Sequence, residues 1–198
     1  MRPVTVAATY STACSAESAG AERAQAARGE ERIPGMKIET VVADYSNPRH
    51  ARDLTDLLHA YALDPMGGGQ GLSDAVRAEL ASALGRRPHA FSVLCYIDGA
   101  PAGLINCFEG FSTFKCKPLV NIHDVVVIDR FRGLGVSQQM MARVEEIARE
   151  RGCCKLTLEV LEGNEPARRA YLRFGFNGYQ LDPENGSALF WEKSLNDI

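Results

Sequence analysis

Residues 125–141 read VVVIDRFRGLGVSQQMM, a β-branched apolar run that passes through a turn of arginine and glycine into a helical pattern. Met140, Met141, Val144, Ile147 and Ala148 recur at the spacing of one helix face, and Gly152 stops the pattern. A glycine turn between a strand and a helix directs several backbone N–H groups toward one point, and the helix N-terminus adds partial positive charge there. Gly133 and Gly135 let the backbone approach an anion with no Cβ in the way, and Arg132 adds a charged donor. The stretch therefore reads as a phosphate-binding turn, which leaves the question of which phosphate compound it serves.

Two common answers fail on the letters. A P-loop needs GxxxxGK followed by Ser or Thr, and its lysine and hydroxyl are absent here. The dinucleotide pattern GxGxxG begins with Gly133 and Gly135, but Gln138 stands at the third glycine position and the parallel strand-helix-strand context comes too late in the chain. Neither a nucleoside triphosphate nor NAD is expected.

Upstream, "MKIETVVADY" reads as a strand, and "SNPRHARDLTDLLHAY" as a helix with Asn47 as cap and Pro48 at its first position. The run "LDPMGGGQG" reads as a mobile loop before a second helix that Ser73 caps and Gly85 stops. Asp98-Gly99 sits between two β-rich runs, which is a strong hairpin signal, and "FKCKPLVNIHDVVVI" adds a further strand. Downstream come the strand "CCKLTLEV", the capped helix "NEPARRAYLRFG", and a final strand pair from "FNGYQLD" and "ALFWEKSL". The fold class is α/β, one sheet with helices on both faces.

At 198 residues and 45% hydrophobic content, the chain suits a single domain, placed at residues 36–198. Residues 1–35 hold few large apolar side chains and no sustained periodicity, so a disordered N-terminal extension is expected there. A net charge of -3 without a basic stripe argues against nucleic acid as partner. No apolar run reaches the roughly 18 residues that suggest a membrane-spanning helix. The six cysteines lack CxxC pairing, so reduced thiols in a cytoplasmic protein are expected. Nothing completes a ligand set around Cys107 and Cys116, so no metal is expected. Cys153 and Cys154 stand away from any evident base and read as packing residues.

A second signature lies about thirty residues after the turn. "EVLEGNEPARRAYLRFGF" contains Asn164, Ala167, Tyr171, Gly175 and Phe176. The two signatures, in this order, resemble the acyl-CoA site of the GNAT superfamily of N-acetyltransferases. The family's diphosphate loop reads Arg or Gln, two residues, Gly, one residue, then Gly or Ala. Arg132, Gly135 and Ser137 take those positions, with Ser137 in place of the last small residue. The register Arg130, Gly133, Gly135 matches every letter but moves the flanking elements by two residues. The first register keeps Val127, Met140 and Met141 where the family has apolar side chains.

The resemblance implies a mixed, mostly antiparallel central sheet, splayed at the acyl-CoA site. It implies acetyl-CoA as cosubstrate and direct transfer of the acetyl group to a primary amine of a small molecule or peptide. Val125 and Val127 would pair with the pantetheine arm, and the segment Arg132, Gly133, Leu134, Gly135, Val136 and Ser137 would hold the diphosphate. Asn164 would bond to pantetheine as well as cap its helix. Family members often form dimers, so a homodimer is the expected assembly. The rival from another class is a non-catalytic acyl-CoA sensor or interaction module with the same fold.

Transfer to an amine needs a proton acceptor, a polarised thioester and a proton for the departing thiolate. Tyr171 takes the last role by resemblance, since a phenol is uncharged at neutral pH yet donates a proton; the alternative is a core tyrosine beside Ala167, Ala170 and Phe174. Strand alternation puts His123 and Asn121 on one face, which makes His123 a candidate base and Asn121 a substrate contact. Glu159, alternating with Leu158 and Val160, is a second candidate base, and Glu109, in "CFEGFSTF", a contact for a cationic acceptor. The loops "DPMGGGQG" and "EGFSTFKCKP" are expected to bound the acceptor pocket.

Overall fold

Asp98 and Gly99 both adopt left-handed backbone, with φ of 49° and 78°. Two such residues suit the twist of a two-residue hairpin, and Asp and Gly tolerate that conformation best. They join β2 (Ala90–Ile97) to β3 (Ala100–Ser112). The turn also ties down the first strand, because Asp98 N donates to Lys37 O at 2.9 Å and Lys37 N donates to Asp98 Oδ1 at 2.9 Å. The computed structural model describes residues 35–178, Glu184 and residues 189–195. The expected N-terminal extension lies outside these apart from Gly35.

The sheet has the order β1-β2-β3-β4-β5, with β1 at Ile38–Val42, β4 at Lys117–Val127 and β5 at Leu156–Leu158. All pairings are antiparallel except β4 with β5. That last pairing covers only Val120–Ile122 against Leu156–Leu158, while β4 runs on to Val127. The sheet is therefore split along its last seam, as the family resemblance implies.

The register of β3 against β4 slips between Asn106 and Cys107, which face Asp124 and Ile122 respectively. His123 is the extra residue of this β-bulge, and a bulge bends and twists its strand. Pure alternation along β4, from which a shared face for Asn121 and His123 was expected, is interrupted at His123 itself.

Four helices accompany the sheet among the described residues: α1 (Pro48–Leu63), α2 (Asp74–Gly85), α3 (Val136–Glu150) and α4 (Glu165–Phe174). Asn47 caps α1 by accepting from Arg49 N at 2.9 Å, and Pro48 follows at the first position. Leu54 and Leu57 of α1 and Leu84 of α2 pack on Leu94, Leu104 and Val126. Leu54, Leu94 and Leu104 are fully buried, each contributing about 1.5–3 kcal/mol relative to an exposed side chain. On the opposite face, α3 rests on bare backbone. A Cβ at Gly103 would lie 2.7 Å from Met140 Cε and 2.8 Å from Val126 O. Because neighbouring residues of β3 alternate, Leu104 under α1 and Gly103 under α3 place helices on both faces.

Two elements differ from the expectation. The glycine-rich run begins as a 3-10 turn at Pro65–Gly67, held by Asp64 Oδ1 accepting from Met66 N at 2.8 Å. The final strand pair is not seen where it is described, and residues 179–182 and 188 of it lie outside the described residues. Its described parts, 176–178 and 189–195, contain no strand.

Candidate active site

Beyond Ile122, β4 has no partner on its outer side among the described residues. Ile128 N donates to Ala102 O at 3.0 Å, so the backbone of alternate residues faces β3. The N–H groups of Val125 and Val127 consequently point into the widening gap. Val127 O accepts from Arg132 Nε at 3.3 Å, which folds the following turn back onto the strand end.

A short 3-10 turn, Asp129–Phe131, leads to Arg132 and then to the helix. Gly133 and Gly135 have φ of 80° and 78°, which explains glycine at both positions. A Cβ at either would meet nothing within 4 Å, so both border open space. Gly135 is the N-cap of α3, and no side chain caps that end. The first intrahelical bond of the cap runs from Gln139 N to Gly135 O at 3.1 Å. The N–H groups of Val136, Ser137 and Gln138 thus have no partner within the helix, and this is the arrangement that receives an anion.

The gap, the turn and one side of α4 enclose a cavity of about 950 Å³. Val125, Val127, Arg132, Gly133, Gly135, Val136, Ser137, Asn164 and Tyr171 all line it. Asn164 caps α4, its Oδ1 accepting from Ala167 N at 3.2 Å. Gln138 Nε2 donates to Ala170 O at 3.0 Å, which ties the start of α3 to α4. Tyr171 is half-buried and its hydroxyl makes no hydrogen bond among the described residues. Burial, and then the neighbouring Tyr61, push its phenol up to about 12. It therefore stays protonated at any physiological pH and is able to donate.

Leu134, His123, Asn121, Glu159 and Glu109 stand outside this lining. His123 is exposed, its ring edge-on to Phe108 at 5.5 Å. Asn121 and Glu159 are brought together: Asn121 Nδ2 lies 3.3 Å from both carboxylate oxygens of Glu159 and from Thr157 Oγ1, its partner in the β4–β5 pairing, and Glu159 follows the last paired residue of β5. Glu109 is engaged elsewhere, with Arg151 at 3.2 Å and His89 at 3.8 Å.

The structure adds three groups that sequence reasoning missed. Tyr61 and Asp64, at the end of α1, line the cavity. Burial, Asp124 and Asp64 all raise the Tyr61 phenol, which puts both carboxylates within electrostatic reach of it. The Asp64 carboxyl is held below its usual range by the Met66 N–H and then by Arg132. Asp124 ends a polar chain that crosses the α1 side of the sheet. Asn106 Nδ2 donates to Asp124 Oδ2 at 2.9 Å, and Ser92 Oγ donates to Asn106 Oδ1 at 2.6 Å. Tyr45, 2.9 Å from Ser92 Oγ, is left as donor because the single Ser92 proton is engaged. Asn106 was the available signal: a lone amide in the apolar run "GLINCF" requires a buried partner.

Among the described residues no three metal-ligating side chains gather, and no helix is long and apolar enough to cross a membrane.

The chain is similar to several known proteins. Streptothricin acetyltransferase of Streptomyces lavendulae is 41% identical over 85 residues, which cover 43% of this chain and 43% of that protein. The chain spans about half or less of the length of the curated relatives it matches first. The crystal structure of a probable acetyltransferase superimposes with a TM-score of 0.67 at 21% identity, covering 80% of this chain and 99% of that one. An aminoglycoside N-acetyltransferase in complex with CoA does so with a TM-score of 0.63 at 18% identity, covering 82% and 98%. At these identities the structural likeness is one of fold. The model of the acetyltransferase (GNAT) family, however, matches residues 54–176, more than half of the 198. The chain belongs to the GNAT family of acetyltransferases.

Proposed function

We propose that the protein is an N-acetyltransferase that moves an acetyl group from acetyl-CoA directly to a primary amine of a small molecule or peptide. The carrying observation is that one cavity joins an uncapped helix N-terminus behind Gly133 and Gly135, a split strand edge, and a protonated phenol. The diphosphate suits the N–H groups of Val136, Ser137 and Gln138 with Arg132 beside them. The pantetheine amides suit the free edge of β4 at Val125 and Val127, as an added strand would. Relatives named for acetylating streptothricin and aminoglycosides support an amine acceptor.

In the reaction the amine nitrogen attacks the thioester carbonyl carbon, the C–N bond forms and the C–S bond breaks. The departing thiolate takes its proton from Tyr171, and the amine proton passes to a carboxylate or imidazole, directly or through water. Asp124 is the acceptor the geometry favours, because Asn106 holds it next to Val125 where β4 begins to part from β5. Asp124, His123 and Glu159 all lie outside the cavity lining, and His123 and Glu159 are the comparison variants.

The test is thiol release from acetyl-CoA across amines, amino acids, polyamines, aminoglycosides and peptide N-termini, for the wild type, Tyr171→Phe and Asp124→Asn. Acceptor-dependent release that falls about 100-fold in Tyr171→Phe is expected for loss of a general acid. Tight CoA binding with no release against any amine would favour a sensor instead. No binding at all would overturn the reading of the cavity.

A further inference from the structure

A polar row crosses the sheet beneath α1, next to a row that is wholly apolar. Ser92 of β2 pairs with Asn106 of β3, and Asn106 with Asp124 of β4, so the three stand side by side on adjacent strands. Two residues along, the same strands carry Leu94, Leu104 and Val126 of the core. Ser92 is fully buried and Asn106 is 3% exposed. Polar groups at that depth destabilise a fold unless each is bonded, and here each is. Resting on Asp124 as the proton acceptor proposed above, we propose that Ser92 and Tyr45 are positioning residues for acetyl transfer, locking the Asn106 amide with its N–H toward Asp124.

The direction of every proton follows from one end of the row. A carboxylate only accepts, so Asn106 must offer it Nδ2, which lies 2.9 Å from Asp124 Oδ2. Asn106 Oδ1 then faces Ser92 and takes its single proton at 2.6 Å. The Ser92 oxygen is left to accept from Tyr45, 2.9 Å away in the segment between β1 and α1. All the donors run toward Asp124.

Without the Ser92 hydroxyl, Asn106 is held from one side only and its buried carbonyl oxygen has no donor. The amide then turns to find one, and the Asp124 carboxylate loses its fixed partner. The bulge at His123 serves the same end, because the register slip there makes Asp124, and not His123, the neighbour of Asn106. Tyr45, Ser92 and Asn106 do not line the cavity, so their effect on the reaction passes through Asp124.

The alternative is a row that merely ties three strands together. Steady-state kinetics with the fastest amine of the panel above separates the two roles. Ser92→Ala is expected to lower kcat about tenfold, with KM for acetyl-CoA at its wild-type value. Tyr45→Phe leaves Ser92 its proton and should lower kcat by less. Asp124→Asn should itself be about 100-fold slower. Adding Ser92→Ala to it should lower turnover no further, because the group being positioned is gone. Losses that add in the double variant, or wild-type kcat in Ser92→Ala, overturn this proposal alone. Wild-type turnover in Asp124→Asn overturns both this proposal and the acceptor role of Asp124, leaving acetyl transfer in place. No transfer by the wild type to any amine overturns the proposed function as well.

Discussion

Arg132 Nη2 lies 3.2 Å from Asp64 Oδ2, joining the glycine turn to the end of α1, with both residues lining the cavity. A diphosphate at the turn must compete with that carboxylate for the same guanidinium. Asp64→Asn removes the competing charge and keeps a side-chain oxygen to hold the 3-10 turn. An exposed pair is worth little, so CoA should bind about two- to fivefold more tightly. Calorimetry checks this, and weaker binding would mean that Asp64 assists the site.

Gly135 is the N-cap of α3 with φ of 78° and open space beside it. Gly135→Val combines a disfavoured backbone conformation with a side chain pointing where the anion should sit. CoA affinity should fall by about tenfold or more, while the far-ultraviolet circular dichroism stays close to that of the wild type. Undiminished affinity would refute the placement of the diphosphate.

The Tyr171 phenol, pushed up to about 12, sets an expectation for the pH profile. A raised value keeps the neutral acid through the whole range in which an ordinary phenol, at 10, begins to ionise. The stability that this burial contributes is complete below 10 and is lost only as the pH climbs toward 12. Turnover should therefore show no descending limb from Tyr171 between neutrality and pH 10. A limb in that range that disappears in Tyr171→Phe would show that the phenol ionises earlier than its burial allows.

Gly103 is where α3 meets the sheet most closely. Gly103→Ala drives a methyl into Met140 Cε and the Val126 carbonyl, only the first of which is able to give way. The expected loss is about 1–3 kcal/mol of unfolding free energy, read from urea denaturation. Little or no loss would mean that α3 slides on the sheet more freely than its packing indicates.

Both signatures were legible because each rests on local rules. Glycines at positive φ, an arginine beside them, and an Asn-to-Tyr spacing along one helix are visible without knowing what packs where. Val125, Val127, Arg132, Ser137, Asn164 and Tyr171, which those rules single out, all line one cavity. His123 shows the limit. Its face was inferred from alternation, and the bulge that displaces it arises from the pairing of β3 with β4, a relation between residues far apart in the chain. Asp64 and Tyr61 were equally hidden, because α1 reaches the cavity only through the way it crosses the sheet. Glu109 was read from its neighbours in sequence, whereas its charge answers Arg151, which is 42 residues away.

The burial of Met140 and Met141 beneath the sheet also decides how the protein meets an oxidant. Both thioethers are fully buried, while Met66, in the cavity lining, is 43% exposed. Sulfoxidation follows access, and it turns a flexible apolar side chain into a polar one. Mild peroxide should reach Met66 long before it reaches the pair that holds α3 in place. Among these three methionines the first sulfoxide would then form where α1 ends and leave the packing of the fold intact, and methionine sulfoxide reductase could reverse it there.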